Sequence, residues 1–189
     1  ASSAGLLLVL LLIAGRFLGP DDYGRFQYAM AVATIIETIM DVGLAHVTVR
    51  AVARDKSSAP SLFRNVLGLK LVWVVAGLAI LFVAAPILRR DRLVVEMCYL
   101  LGLSSAARSY FLTARGFLQG LDRFDLEAVA VLADRVLLLV FGAAVLLLGY
   151  GVLGLGVAFV VARVVTLTGV TLLLRGVLGR VRPSFDAKV

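Results

Sequence analysis

Between Val66 and Leu88 the sequence runs through one apolar stretch whose only charge, Lys70, sits near its start. A helix rises about 1.5 Å per residue, so roughly 20 such residues cross the ~30 Å hydrocarbon core of a bilayer. The pattern recurs along the chain. Six segments, at about 4–18, 26–49, 66–88, 93–118, 126–149 and 152–174, are each read as a membrane helix. Turn residues separate them: Gly19-Pro20-Asp21-Asp22 after the first, Arg54-Asp55-Lys56-Ser57-Ser58-Ala59-Pro60-Ser61 after the second, Gly149-Tyr150-Gly151 before the last. Loops this short make consecutive helices antiparallel neighbours. The fold expected is an all-α, six-helix membrane bundle forming one domain over 1–189.

Composition closes off other classes. Apolar residues make up 61% of the 189, against about 45–50% in soluble domains. Mean hydropathy is +1.03 and charged residues are 16%. The available polar surface could not cover one soluble core, so a soluble enzyme and a soluble nucleic-acid binder are excluded, as is a disordered chain. The partners expected are membrane lipids, and no nucleic acid.

The net charge of +7 is distributed as membrane proteins distribute it. The second and fourth loops and the tail hold Arg50, Arg54, Lys56, Arg64, Arg115, Arg123, Arg175, Arg180, Arg182 and Lys188. The opposite side holds Arg16, Arg25, Arg89, Arg90 and Arg92. Ten against five places the N-terminus and the tail in the cytoplasm. The chain begins without Met, directly in an apolar run, and is read as a piece of a longer one. The first run lacks the charged start and cleavage signal of a secretory leader.

The charges inside the apolar runs carry the most information. Arg108 and Arg163 lie near the middle of their helices, where each costs roughly 2.5–3.5 kcal/mol on insertion scales. Arg135 sits about 14 Å of helical rise inside the fifth helix. All three are expected to face the bundle interior, either paired with Glu37, Asp41 or Asp134 or turned toward a ligand. Glu37 and Asp41 are four residues apart and share a helix face. They serve either as ion-pair partners of the arginines or as a site for a proton or cation. Asp134 and Arg135 point about 100° apart and are not each other's partner. Lys70 and Arg16 are expected to snorkel from helix ends.

Other motifs read as structure. Gly149-x-Gly151-x-x-Gly154 has the spacing of a dinucleotide loop but no strand before it and no acid after it, so it is read as a tight turn. Gly15-x-x-x-Gly19 and Gly116-x-x-x-Gly120 have the spacing of close helix seams. One Cys98 and one His46 form no metal-ligand pattern. No paired aspartates, Ser/His pair or metal cluster appears, so no catalytic residues, metal or cofactor are expected.

Three strings then point to a family. Arg16-Phe17-Leu18-Gly19-Pro20-Asp21-Asp22-Tyr23-Gly24 resembles the junction between the first two helices of polysaccharide/O-antigen flippases. Asp41-Val42-Gly43-Leu44 with Val49-Arg50-Ala51-Val52-Ala53-Arg54 resembles the end of their second helix, and Gly116-Phe117-Leu118-Gln119-Gly120-Leu121-Asp122-Arg123 the end of their fourth. The chain is thereby similar to the multidrug/oligosaccharidyl-lipid/polysaccharide exporter superfamily, in its N-terminal half. The resemblance implies two six-helix lobes around a central cavity, a cytoplasmic N-terminus, and alternating-access transfer of a lipid-linked oligosaccharide across the inner membrane. It implies a C-terminal lobe as partner. A polyprenyl pyrophosphate carries phosphate oxygens suited to guanidinium donors. Arg108, Arg163 and Arg135 are the expected substrate-binding residues, with Glu37 and Asp41 as neutralisers or charge-coupling groups. The alternatives are a cation-coupled drug exporter of the same superfamily, resting on Glu37 and Asp41, and a non-transporting scaffold for polysaccharide assembly.

Overall fold

The computed structural model describes residues 2–89 and 91–178. Arg90, Arg180, Arg182 and Lys188, which enter the charge count above, lie outside the described residues. Among those described, the order is α1 (Ser2–Asp41), α2 (Leu44–Arg54), a 3-10 turn (Lys56–Ser58), α3 (Ala59–Leu88), α4 (Arg92–Gly120), α5 (Phe124–Leu147) and α6 (Gly151–Leu178), with no strand. Among the described residues, four helical stretches are long and apolar enough to cross a membrane: Gly5–Arg54, Lys56–Leu88, Phe124–Leu147 and Gly151–Val177.

α1 is not one straight rod. Gly19 interrupts it with φ 73° and ψ 170°, a left-handed backbone that favours glycine. Pro20 opens the next limb, where its missing N–H costs nothing. Leu7 and Thr34 line the same cavity, although uninterrupted helix would hold them about 40 Å apart. The chain therefore folds back at Gly19, and limbs 2–18 and 20–41 form a hairpin. Gly15-x-x-x-Gly19, expected as a helix seam, is the approach to that hinge: a Cβ at Gly15 would meet only Tyr23, at 3.7 Å.

The second expected helix, 26–49, is broken. The limb ends at Asp41, and Val42 and Gly43 turn the chain with φ of 43° and 72°. α2 then runs separately, with Thr48 and Val52 buried. The polar stretch after it is shorter as loop than its composition suggests. Asp55 accepts from the Ser57 amide at 3.0 Å and hydroxyl at 2.6 Å, and those donors hold its carboxyl below the usual range. α3 begins at Ala59, with Pro60 in its first turn. Gly149 and Gly151, with φ of 76° and 67°, turn the chain between α5 and α6, as the glycine motif predicts.

α4 is the hub. It packs against α1, α2, α3, α5 and α6, and its buried face includes Ser104, Ser105, Ser109 and Thr113 as well as Met97, Leu101 and Phe117. The Gly116-x-x-x-Gly120 seam is where α2 lands. A Cβ on Gly116 would lie 2.9 Å from the Ala45 carbonyl oxygen, and one on Gly120 2.7 Å from Val52 Cβ. Such contact leaves room only for glycine. The outer face is apolar and exposed, with Leu12, Val72, Phe82, Ile87, Leu147 and Leu172 among the exposed side chains. That is the face expected of a bundle whose solvent is lipid.

Candidate functional site

A cavity of about 80 Å³ lies within the bundle, room for a few water-sized groups. Its walls come from five segments: Leu7 of the first α1 limb, Thr34 and Glu37 of the second, Ser104, Ser105 and Arg108 of α4, Arg135 of α5, and Phe159 and Arg163 of α6. The three arginines singled out by depth thus converge from three helices on one space, joined by Glu37. The convergence follows from packing. Ser104 donates to the Phe159 carbonyl at 3.3 Å and ties α4 to α6, while Phe26 meets Phe159 edge-on at 5.7 Å and holds the second limb against α6.

Two of the three cations are neutralised and one is not. Arg163 donates to Asp134, and both side chains are almost wholly buried, 5% and 4% exposed. The Thr166 hydroxyl also lies 3.3 Å from the same carboxylate oxygen. Arg108 donates to Glu37 at 3.2 Å, and its side chain keeps 34% of its surface exposed. Arg135 has no carboxylate within ion-pair distance among the described residues, and its Nε is buried without a hydrogen-bond partner. Three guanidiniums against the carboxylates of Glu37 and Asp134 leave one positive charge in excess, on Arg135. An unpaired cation beside serine hydroxyls in a low-dielectric bundle attracts an anion.

Asp41 and Lys70 depart from expectation. Asp41 does not reach the arginine cavity, although it sits one turn from Glu37. It accepts from Lys70 Nζ at 2.8 Å. Lys70, expected to snorkel, is fully buried. The reason is geometric: α3 starts at Ala59, so Lys70 lies about 16 Å inside the helix rather than near its end. It falls on the buried stripe Val66, Lys70, Val74, Gly77, Leu81, Ala85, whose three- and four-residue spacing is one face of the helix.

A second polar cavity of about 190 Å³ opens further along, lined by Asp41, His46, Arg115 and Gln119 with Ala45, Val49, Leu112 and Gly116. Arg115 donates to Glu127 at 3.1 Å and 2.5 Å through Nε and Nη2, and Gln119 Nε2 to the same oxygen at 2.8 Å. Sequence reading did not single out this triad. The signal available was that Arg115 and Gln119 are four residues apart and Glu127 opens the next helix. Among the described residues no group of three His, Cys, Asp or Glu side chains could hold a metal ion.

A family model described as polysaccharide biosynthesis protein matches residues 1–188. No curated protein matches, and no solved structure does.

Proposed function

The chain belongs to the polysaccharide biosynthesis protein family, that of the polysaccharide/O-antigen flippases, and from that premise we propose that it moves a lipid-linked oligosaccharide of the polyprenyl-pyrophosphate type across the inner membrane by alternating access. One observation carries the reading: three arginines meet in a cavity with one carboxylate, Glu37, and with Arg163 paired to Asp134 the excess charge rests on Arg135. Pyrophosphate presents paired oxygens to the planar guanidinium fork, and a cation already sunk in the bundle offers it a site away from lipid. Arg108, Arg135 and Arg163 hold the head group, Glu37 neutralises Arg108 in its absence, and the prenyl chain stays in lipid. The chain crosses the membrane six times in this reading, through the two limbs of α1 and through α3 to α6, with both ends cytoplasmic as the basic residues indicate. A second lobe supplies the facing wall of the cavity, so that the site opens to one side of the membrane at a time.

The drug-exporter alternative draws less support. It needs carboxylates available to a proton or cation, whereas Glu37 is engaged by Arg108 and Asp41 by Lys70. The test is Arg135→Ala in the full-length protein, scored by transfer of lipid-linked oligosaccharide into sealed vesicles. Arg135 holds no ion pair, so the variant accumulates normally, while transfer falls by about tenfold or more, the loss of one charge-assisted hydrogen-bonded pair. Arg135→Lys, which keeps the charge and loses the fork, falls in between. Undiminished transfer in Arg135→Ala overturns the arginine site, whereas no transfer by the wild type overturns the flippase reading and favours the non-transporting scaffold, which tolerates neutralising every intramembrane charge.

A further inference from the structure

The two cavities share one face of α4. Ser104, Ser105 and Arg108 line the first, and Leu112, Arg115 and Gln119 the second. These positions recur every three to four residues, so they form one stripe. Arg108 and Arg115 are two turns apart, roughly 10 Å along the axis. The second limb of α1 supplies the opposite bank in the same order, Glu37 to the first cavity and Asp41 to the second.

The two differ in charge. The first carries an excess cation. In the second every ion has its counter-ion: Asp41 with Lys70, and Arg115 with Glu127, whose carboxylate also takes the Gln119 amide. What remains is a roomier, electrically balanced space lined by an imidazole, a planar amide, the paired Asp41 carboxylate and the paired Arg115 guanidinium. Such groups exchange hydrogen bonds with neutral hydroxyls, and they offer an anion no net attraction.

Resting on the flippase reading, we propose that the cavity of Asp41, His46, Arg115 and Gln119 is a sugar subsite, taking the monosaccharide attached to the pyrophosphate held by the arginine cavity. The roughly 10 Å between the stations suits a sugar linked directly to the pyrophosphate. The arginine cavity then recognises what all such carriers share, and this one distinguishes their first sugar.

The test uses the full-length protein in detergent and four probes: farnesyl pyrophosphate alone, and farnesyl pyrophosphate bearing N-acetylglucosamine, galactose or glucose. Wild type binds the best sugar-bearing probe about tenfold more tightly than the bare one, the worth of one or two net hydrogen bonds. His46→Ala and Gln119→Ala each reduce that ratio to about threefold or less and leave the bare probe within about twofold of wild type. Neither variant is expected to unfold the protein, since His46 is exposed and Gln119 half-buried; unfolding temperatures in detergent check this. The proposal is overturned if no sugar-bearing probe binds more tightly, or if both variants keep the full ratio. It is also overturned if they weaken the bare probe equally, which makes the second cavity part of the anion site. Failure of every probe to bind wild type instead brings down the flippase reading and this proposal with it.

Discussion

α3 and α4 pack side by side, and each carries one cation deep in its length. α3 is the more apolar, and most of its surface is exposed: Leu71, Val72, Phe82, Val83 and Ile87 all face outward. α4 is interrupted by serines, threonines and charge, yet it is enclosed by its neighbours. The cations reverse that order, because Lys70 of the lipid-facing helix is wholly buried and Arg108 of the enclosed helix is one-third exposed. In a bilayer the solvent is apolar, so an apolar helix belongs at the periphery and polar groups are sheltered inside. A charge follows the face it stands on, and the overall hydropathy of its helix says little about its burial. Lys70 stands on the one inward stripe of α3, whereas Arg108 stands on the rim of a cavity.

The comparison can be broken at its most buried point. Asp41→Ala strands the Lys70 ammonium among apolar side chains, and removing one partner of a buried pair costs about 3–5 kcal/mol. Unfolding in detergent should show that loss. Lys70→Met, which keeps the volume and leaves the partly exposed Asp41 to water, should cost about 1 kcal/mol. Equal losses in the two variants would mean that the ammonium has another route to solvent. A smaller effect is expected on α4, where Gly120→Leu drives a side chain into Val52 and should destabilise by about 1–3 kcal/mol through overpacking. Release of α2 would show as faster proteolysis near Arg54. The smallest lies on the outer face of α3. Val83→Ala, at a side chain 61% exposed, should stay within about 0.5 kcal/mol, and a larger loss would mean that this face is packed against protein rather than lipid.

Most of the architecture was legible in sequence because it depends on local quantities. Runs of apolar residues, the Gly19-Pro20 break and the Gly149–Gly151 turn announce where helices lie and where the chain reverses. α4 runs Arg92–Gly120 against the expected 93–118, and α5 Phe124–Leu147 against 126–149. The misreadings arose where polar residues are helical for tertiary reasons. Arg64 and Asn65 look like loop but belong to α3, whose early start is what buries Lys70. Asp41-Val42-Gly43 looks like helix interior but turns the chain, because α2 gains more by pressing its Ala45–Val52 face onto the glycine seam of α4 than by prolonging the limb.

For the site, depth in the apolar runs was enough to select Arg108, Arg135 and Arg163 and to expect them inside. Which carboxylate each would meet was beyond it. Ion pairs form between helices whose rotation and register are set by packing, and a sequence records neither. Thus Glu37 and Asp41, neighbours on one face and alike in sequence, serve different cations in the structure. Composition and the length of the apolar runs by themselves determined an all-helical membrane chain with inward-facing guanidiniums, since runs of that length span a bilayer as helices and the hydrocarbon penalises a lipid-facing charge. Only the tertiary structure decided that Arg163 would find Asp134, Arg108 would find Glu37, and Arg135 would be left with its charge unspent, because that outcome depends on which helix faces meet across the cavity.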